Sequence, residues 1–116
     1  MSKVFANDPF ARVAKYFHLL YPDKKYHCFW TENNIEAEDG ETAYGMTAFP
    51  SEGSDESAVP EILISAELPV KHAVEVFTHE LAHVAVGVEE GHGEAWERAF
   101  ERIHNAYMTG QIEAGA

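Results

Sequence analysis

Residues 79–83 read His-Glu-Leu-Ala-His. On an α-helix, positions i and i+4 lie one above the other on the same face, so this spacing aims two imidazoles at one point. Zinc takes neutral imidazole nitrogens at about 2.0–2.1 Å, and two rings one turn apart can share it. Glu80 stands about 100° around the helix from His79, within reach of water activated by the metal but outside the ligand set, which is where a general base belongs. The chemistry on offer is metal-assisted hydrolysis, with His79 and His83 as ligands and Glu80 as the catalytic residue.

A catalytic zinc site takes three protein ligands and keeps one position open. His92 is the first candidate for the third: Gly87 stops one helix, residues 88–91 make a short turn, and His92 begins the next helix. Gly91 and Gly93 on either side ease the close backbone return this requires. Glu94, Glu97 and Glu101 are the rival third ligands, and a carboxylate there would keep the same chemistry. His72 falls on the ligand face but roughly 10 Å along the axis from His79, too far for the same ion, so it lines a cleft or is solvated. Glu75, one turn before His79 on that face, can orient an imidazole from behind. Tyr44 and Tyr107 are candidate oxyanion stabilisers that packing on a strand and a helix explains better. His18, His27 and His104 read as structural or exposed.

The helix that positions the pair is amphipathic. Val70, Ala73, Val74, Phe77, Leu81, Val84, Ala85 and Val88 fall on one arc at about 100° per residue, and the two histidines fall opposite. Pro69 opens this segment and Gly87 closes it. Upstream, Asp8-Pro9 has the form of an N-cap followed by proline at the first helical position. Phe10, Val13, Ala14, Phe17 and Leu20 then repeat at three- and four-residue steps as far as Tyr21, before Pro22-Asp23. Residues 25–31 (KYHCFWT), 43–49 (AYGMTAF) and 61–65 (EILIS) suit strands, with Cys28 as a small core residue on the first. ENNIEAEDGE reads as an acidic loop into the second strand. PSEGSDESAVP, eleven residues long, is a second loop, of a length that lies beside a site or moves. A last helix from Gly91 or His92 carries Trp96, Phe100, Ile103 and Tyr107 on one stripe, and the tail TGQIEAGA frays. The order α-β-β-β-α-α predicts an α+β fold over residues 1–116 as one domain, with a small three-stranded sheet, an N-terminal helix and a C-terminal helix pair.

Composition narrows the partners. The chain has 116 residues, 8 Lys and Arg against 20 Asp and Glu, and a net charge of −12. Eight scattered cations cannot easily build the basic face that displaces counterions from nucleic acid, and an anionic membrane would repel the chain. No apolar run reaches the length of a membrane span, and MSKVFANDPF lacks the apolar core of a signal peptide. The single cysteine allows neither an internal disulfide nor a multi-cysteine zinc site. A soluble, cytoplasmic protein is expected, with peptide or unfolded protein as its partner and neither nucleic acid nor membrane.

The segment THELAHVAVGVEEGHGEAW resembles the HExxH…GHGxxF/W segment of SprT-like zinc metallopeptidases, within the wider zincin group. The resemblance spans about residues 60–107, from EILIS before the helix to the Trp96/Phe100 stripe after it, with 79–96 as its specific core. It implies one zinc held by His79, His83 and His92, Glu80 as catalytic acid and base, and a strand before the active helix whose edge receives an extended peptide. Metzincins place the third histidine six residues after the second; the gap here is nine. Relatives that degrade DNA-crosslinked proteins carry basic segments or further zinc ligands, which this composition does not supply. From other classes, a non-catalytic zinc-stabilised interaction domain and a different metal-dependent hydrolase use the same helix.

Overall fold

The computed structural model describes residues 8–36, 40–51, 53, 58–87 and 91–111. Its first element, α1 (Pro9–Leu20), begins where the Asp8 carboxylate accepts the N–H groups of Phe10 at 2.9 Å and Ala11 at 3.2 Å. Such a cap satisfies donors that have no partner within the helix. Val13, Tyr16 and Phe17 are its buried face.

Five strands follow in the chain: β1 (His27–Thr31), β2 (Ile35–Glu36), β3 (Thr42–Ala43), β4 (Gly45–Ala48) and β5 (Glu61–Ser65). Three of them form the expected sheet in the order β1-β5-β4, with β1 parallel and β4 antiparallel to β5. β2 and β3 pair with each other in a small antiparallel ladder, so part of the segment read as an acidic loop is extended and paired. The stretch 43–49 is accordingly not one strand: Ala43 belongs to β3, Tyr44 bends the chain, and β4 begins at Gly45.

Two helices close the fold, α2 (Val70–Val86) and α3 (Glu94–Thr109). Gly87 ends α2 with φ 93° and donates its N–H to the His83 carbonyl, a conformation that a Cβ would strain. Ile62 and Ile64 from β5, Val13 and Phe17 from α1, Leu81 from α2 and Ile103 from α3 are all fully buried and make the core. The α+β architecture and its element order are those the sequence predicts, with the short β2–β3 ladder added. Among the described residues no helix is long and apolar enough to cross a membrane.

Four local expectations are corrected. Val70, assigned to the core arc, is 61% exposed because it is the first residue of α2 and projects beyond the layer that α1 and α3 cover. Cys28 is exposed, since β1 is an edge strand whose residues His27 to Trp30 all remain accessible. His92 does not begin the last helix; it lies in the turn two residues before α3. The strand before α2, β5, is the centre of its sheet and offers no free edge, because β1 and β4 occupy both sides. Val88 of the apolar arc, the acidic stretches at 37–39 and 54–57 and the tail beyond 111 lie outside the described residues.

Candidate metal centre and cleft

Helical spacing brings His79 and His83 together on α2, with ring centroids 5.0 Å apart. The break at Gly87 then returns the chain so that His92 meets both. Its Nε2 lies 3.0 Å from Nε2 of His83 and 3.1 Å from Nε2 of His79. Two nitrogens bound tetrahedrally to one zinc at 2.0–2.1 Å stand about 3.3 Å apart, so the three imidazoles are spaced as ligands of a single ion. Among the described residues this is the group of metal-ligating side chains that converges, and Glu94, Glu97 and Glu101 are not part of it. Glu94 is paired instead with Arg98 at 3.8 Å on the exposed side of α3.

The protonation chemistry suits a cation. Burial, and then the neighbouring His92, hold the His79 imidazole below its usual pKa. Burial lowers His83 to about 4, with His79 and His92 adding to the effect. Both rings are therefore neutral at pH 7, the form in which imidazole binds metal. His79, His83 and His92 lie close enough to bind a metal ion.

Trp96 closes the back of this cluster. Its ring centroid is 4.7 Å from His79, 5.7 Å from His83 and 4.9 Å from His92. The sequence stripe assigns Trp96 to packing on α3, which it does, but it also abuts all three imidazoles. Ile103 on the same stripe is fully buried, while Phe100 and Tyr107 pack against the core from its margin.

Glu80 is 6% exposed. Its Oε1 accepts the Thr47 hydroxyl at 2.7 Å, and its Oε2 lies 4.0 Å from His79 Nε2. Burial raises the Glu80 pKa, and the hydrogen bond from Thr47 opposes that rise. Glu80 thus stands beside the imidazole cluster, separate from its ligand atoms. Sequence reasoning missed Thr47 and its neighbour Gly45. A Cβ at Gly45 would stand 2.3 Å from Cγ1 of Val76 and 3.2 Å from Oε2 of Glu80, so only glycine lets β4 lie this close to α2. A glycine inside an apolar strand is itself a sign of such an approach.

A cleft of about 860 Å³ opens in front of His79 and Glu80 and runs toward the N-terminal end of α2. His72 and Glu75 line it, together with Tyr44, Leu68, Trp96 and Phe100. His72 is exposed and lines the cleft, so the two readings open to it coincide. Tyr44 is 50% exposed at the bend before β4, so strand packing does not explain it. Tyr107 does pack, with the Arg12 guanidinium 5.6 Å from its ring centroid. Cys28 on β1 is no part of the imidazole cluster. His18 stacks on Tyr26 and His104 on Phe100, both structural positions. Compared with protein-family models, with curated proteins and with solved structures, the chain matches none.

Proposed function

We propose that the chain is a zinc-dependent metallopeptidase of the SprT-like kind, acting in the cytoplasm on peptides or unfolded protein segments. The observation that carries this reading is one constellation: His92 Nε2 within 3.1 Å of Nε2 of both His79 and His83, a buried glutamate whose Oε2 is 4.0 Å from His79, and an open cleft lined by His79 and Glu80. His79, His83 and His92 would hold the zinc, which supplies Lewis acidity for a peptide carbonyl and acidifies water near neutral pH.

The protein's own groups do the rest. Oε2 of Glu80 takes a proton from the attacking water and gives it to the departing amide nitrogen. Burial favours the protonated carboxyl, which lets Glu80 hold that proton between the two transfers. Trp96 and Phe100 form an apolar wall of the cleft. Among the described residues β4 has β5 as its one neighbour in the sheet, so the edge that receives an extended substrate belongs to β4 in this reading, one strand outward from β5. An open cleft of about 860 Å³ suits an extended chain, hence unfolded or loop segments.

The test is metal content followed by hydrolysis. Protein purified without chelator or metal-binding tag should carry about one zinc per chain and cleave members of a peptide library. Glu80→Gln should keep the zinc and lose roughly 10²–10⁴-fold in rate. Protein that refuses added zinc overturns the reading. Protein that binds zinc and cleaves nothing supports a zinc-stabilised interaction domain in its place.

A further inference from the structure

We infer that Thr47 is a positioning residue for Glu80, holding one oxygen of its carboxylate so that the other lies toward His79. The inference rests on the metallopeptidase reading for its catalytic consequence, but not for its structural content. Thr47 and Gly45 are alternate residues of β4, paired with Ile62 and Ile64, the two β5 residues buried in the core. Both therefore face α2, while Met46 and Ala48 face away. The Thr47 hydroxyl lies 2.7 Å from Oε1 of Glu80 and 3.3 Å from the Glu80 main-chain carbonyl.

A hydroxyl has one proton to donate. The shorter contact gives that proton to Oε1. Oε2 lies outside this bond and points toward His79, 4.0 Å from its Nε2. The opposite wall is Gly45, whose missing Cβ would stand 3.2 Å from Oε2. β4 thus holds one carboxylate oxygen by a hydrogen bond and makes room for the other. The β-branched side chain of threonine has a restricted χ1, so the hydroxyl is aimed with little rotamer freedom to lose. No proton is gained or lost by Thr47 in the cycle: Oε2 takes one from water and returns it to the leaving nitrogen, and the Thr47 O–H stays intact.

Crystal structures of the wild-type protein, Thr47→Val and Thr47→Ser test this, with zinc content and steady-state kinetics on the same preparations. Valine preserves shape and removes the donor. In Thr47→Val the Glu80 carboxylate should leave its position or split between orientations, with zinc content unchanged. kcat should fall on the order of 10- to 100-fold, as a misplaced reacting group does, while KM stays within about twofold. Thr47→Ser should restore the single carboxylate position and most of kcat. Thr47→Ala replaces the valine variant if that protein does not fold. A carboxylate that keeps one unchanged position without the hydroxyl overturns the inference, as does an unchanged kcat with the carboxylate displaced. If zinc-loaded wild-type protein hydrolyses nothing, the metallopeptidase reading fails. The position of the carboxylate in the variants then still decides whether Thr47 holds Glu80.

Discussion

The indole N–H of Trp96 donates to the main-chain carbonyl of His79 at 3.2 Å, joining α3 to the turn of α2 that carries the first imidazole. The same ring lies against His79, His83 and His92. The bond therefore links the two segments whose relative placement decides whether three imidazoles can meet. Trp96→Phe keeps an aromatic ring and removes the donor. It should cost about 1 kcal/mol of stability, the usual net worth of one hydrogen bond. Urea denaturation of the metal-free protein measures this, and an unchanged midpoint would show that ring packing alone sets the geometry.

His92 is the imidazole of the cluster that only the return of the chain supplies. His92→Ala should lose the metal, whereas Glu94→Ala, Glu97→Ala and Glu101→Ala should keep it. Zinc at one hundred times its Kd should stabilise the wild-type protein by about 2.7 kcal/mol, and that gain should vanish in His92→Ala. Thermal denaturation with and without zinc reads both results. Retention of metal by His92→Ala would return a glutamate to the ligand set.

At Gly45 the constraint is steric. A Cβ there would meet Cγ1 of Val76 at 2.3 Å. Gly45→Ala should therefore destabilise the fold by about 1–3 kcal/mol, the usual range for overpacking. Val76→Ala removes the obstructing methyl, so the double variant should lose less than the two single variants summed. Strict additivity in that cycle would mean that β4 moves aside without cost.

Alkaline pH should destabilise the protein through β1 and the residues leading into it. Burial holds the Tyr26 phenol up to about 12, with Cys28 adding to the rise, against an ordinary 10.0. Cys28 stays exposed as a residue, yet the partial burial of its thiol pushes it from 9.0 to about 11. The unfolded chain releases the Cys28 proton from about pH 9 and the Tyr26 proton from about pH 10, while the folded chain keeps them until about pH 11 and 12. The folded state then binds more protons, so stability falls as pH rises through this window. Melting temperatures at several pH values across it give the slope, and Cys28→Ala should flatten it.

Much of this protein is legible in local patterns. The Asp8-Pro9 start of α1, the apolar arc of α2 and the Gly87 stop follow from capping, periodicity and φ preference, each decided within one or two turns of chain. The i, i+4 pairing of His79 and His83 is equally local, because the helix pitch alone sets it. Where reading went astray, the reason is tertiary. Cys28 and Val70 look like core residues by type, but an edge strand and a first helical turn leave them in solvent. The segment 43–49 is mostly apolar, and nothing local says that its chain bends at Tyr44 and changes sheets.

The sequence by itself determined the element order, the α+β class and two of the three imidazoles, since each depends on neighbours along the chain. Only the tertiary structure decided that His92 rather than a glutamate completes the cluster, that among the described residues β4 and not β5 stands at the sheet edge beside the cleft, and that the Thr47 hydroxyl bonds Glu80. Those relationships join residues nine to thirty-three positions apart. They depend on how α2, α3 and the sheet pack around Ile62, Ile64, Leu81 and Ile103, and no helical or strand period encodes the distance between two elements that meet only through a shared core.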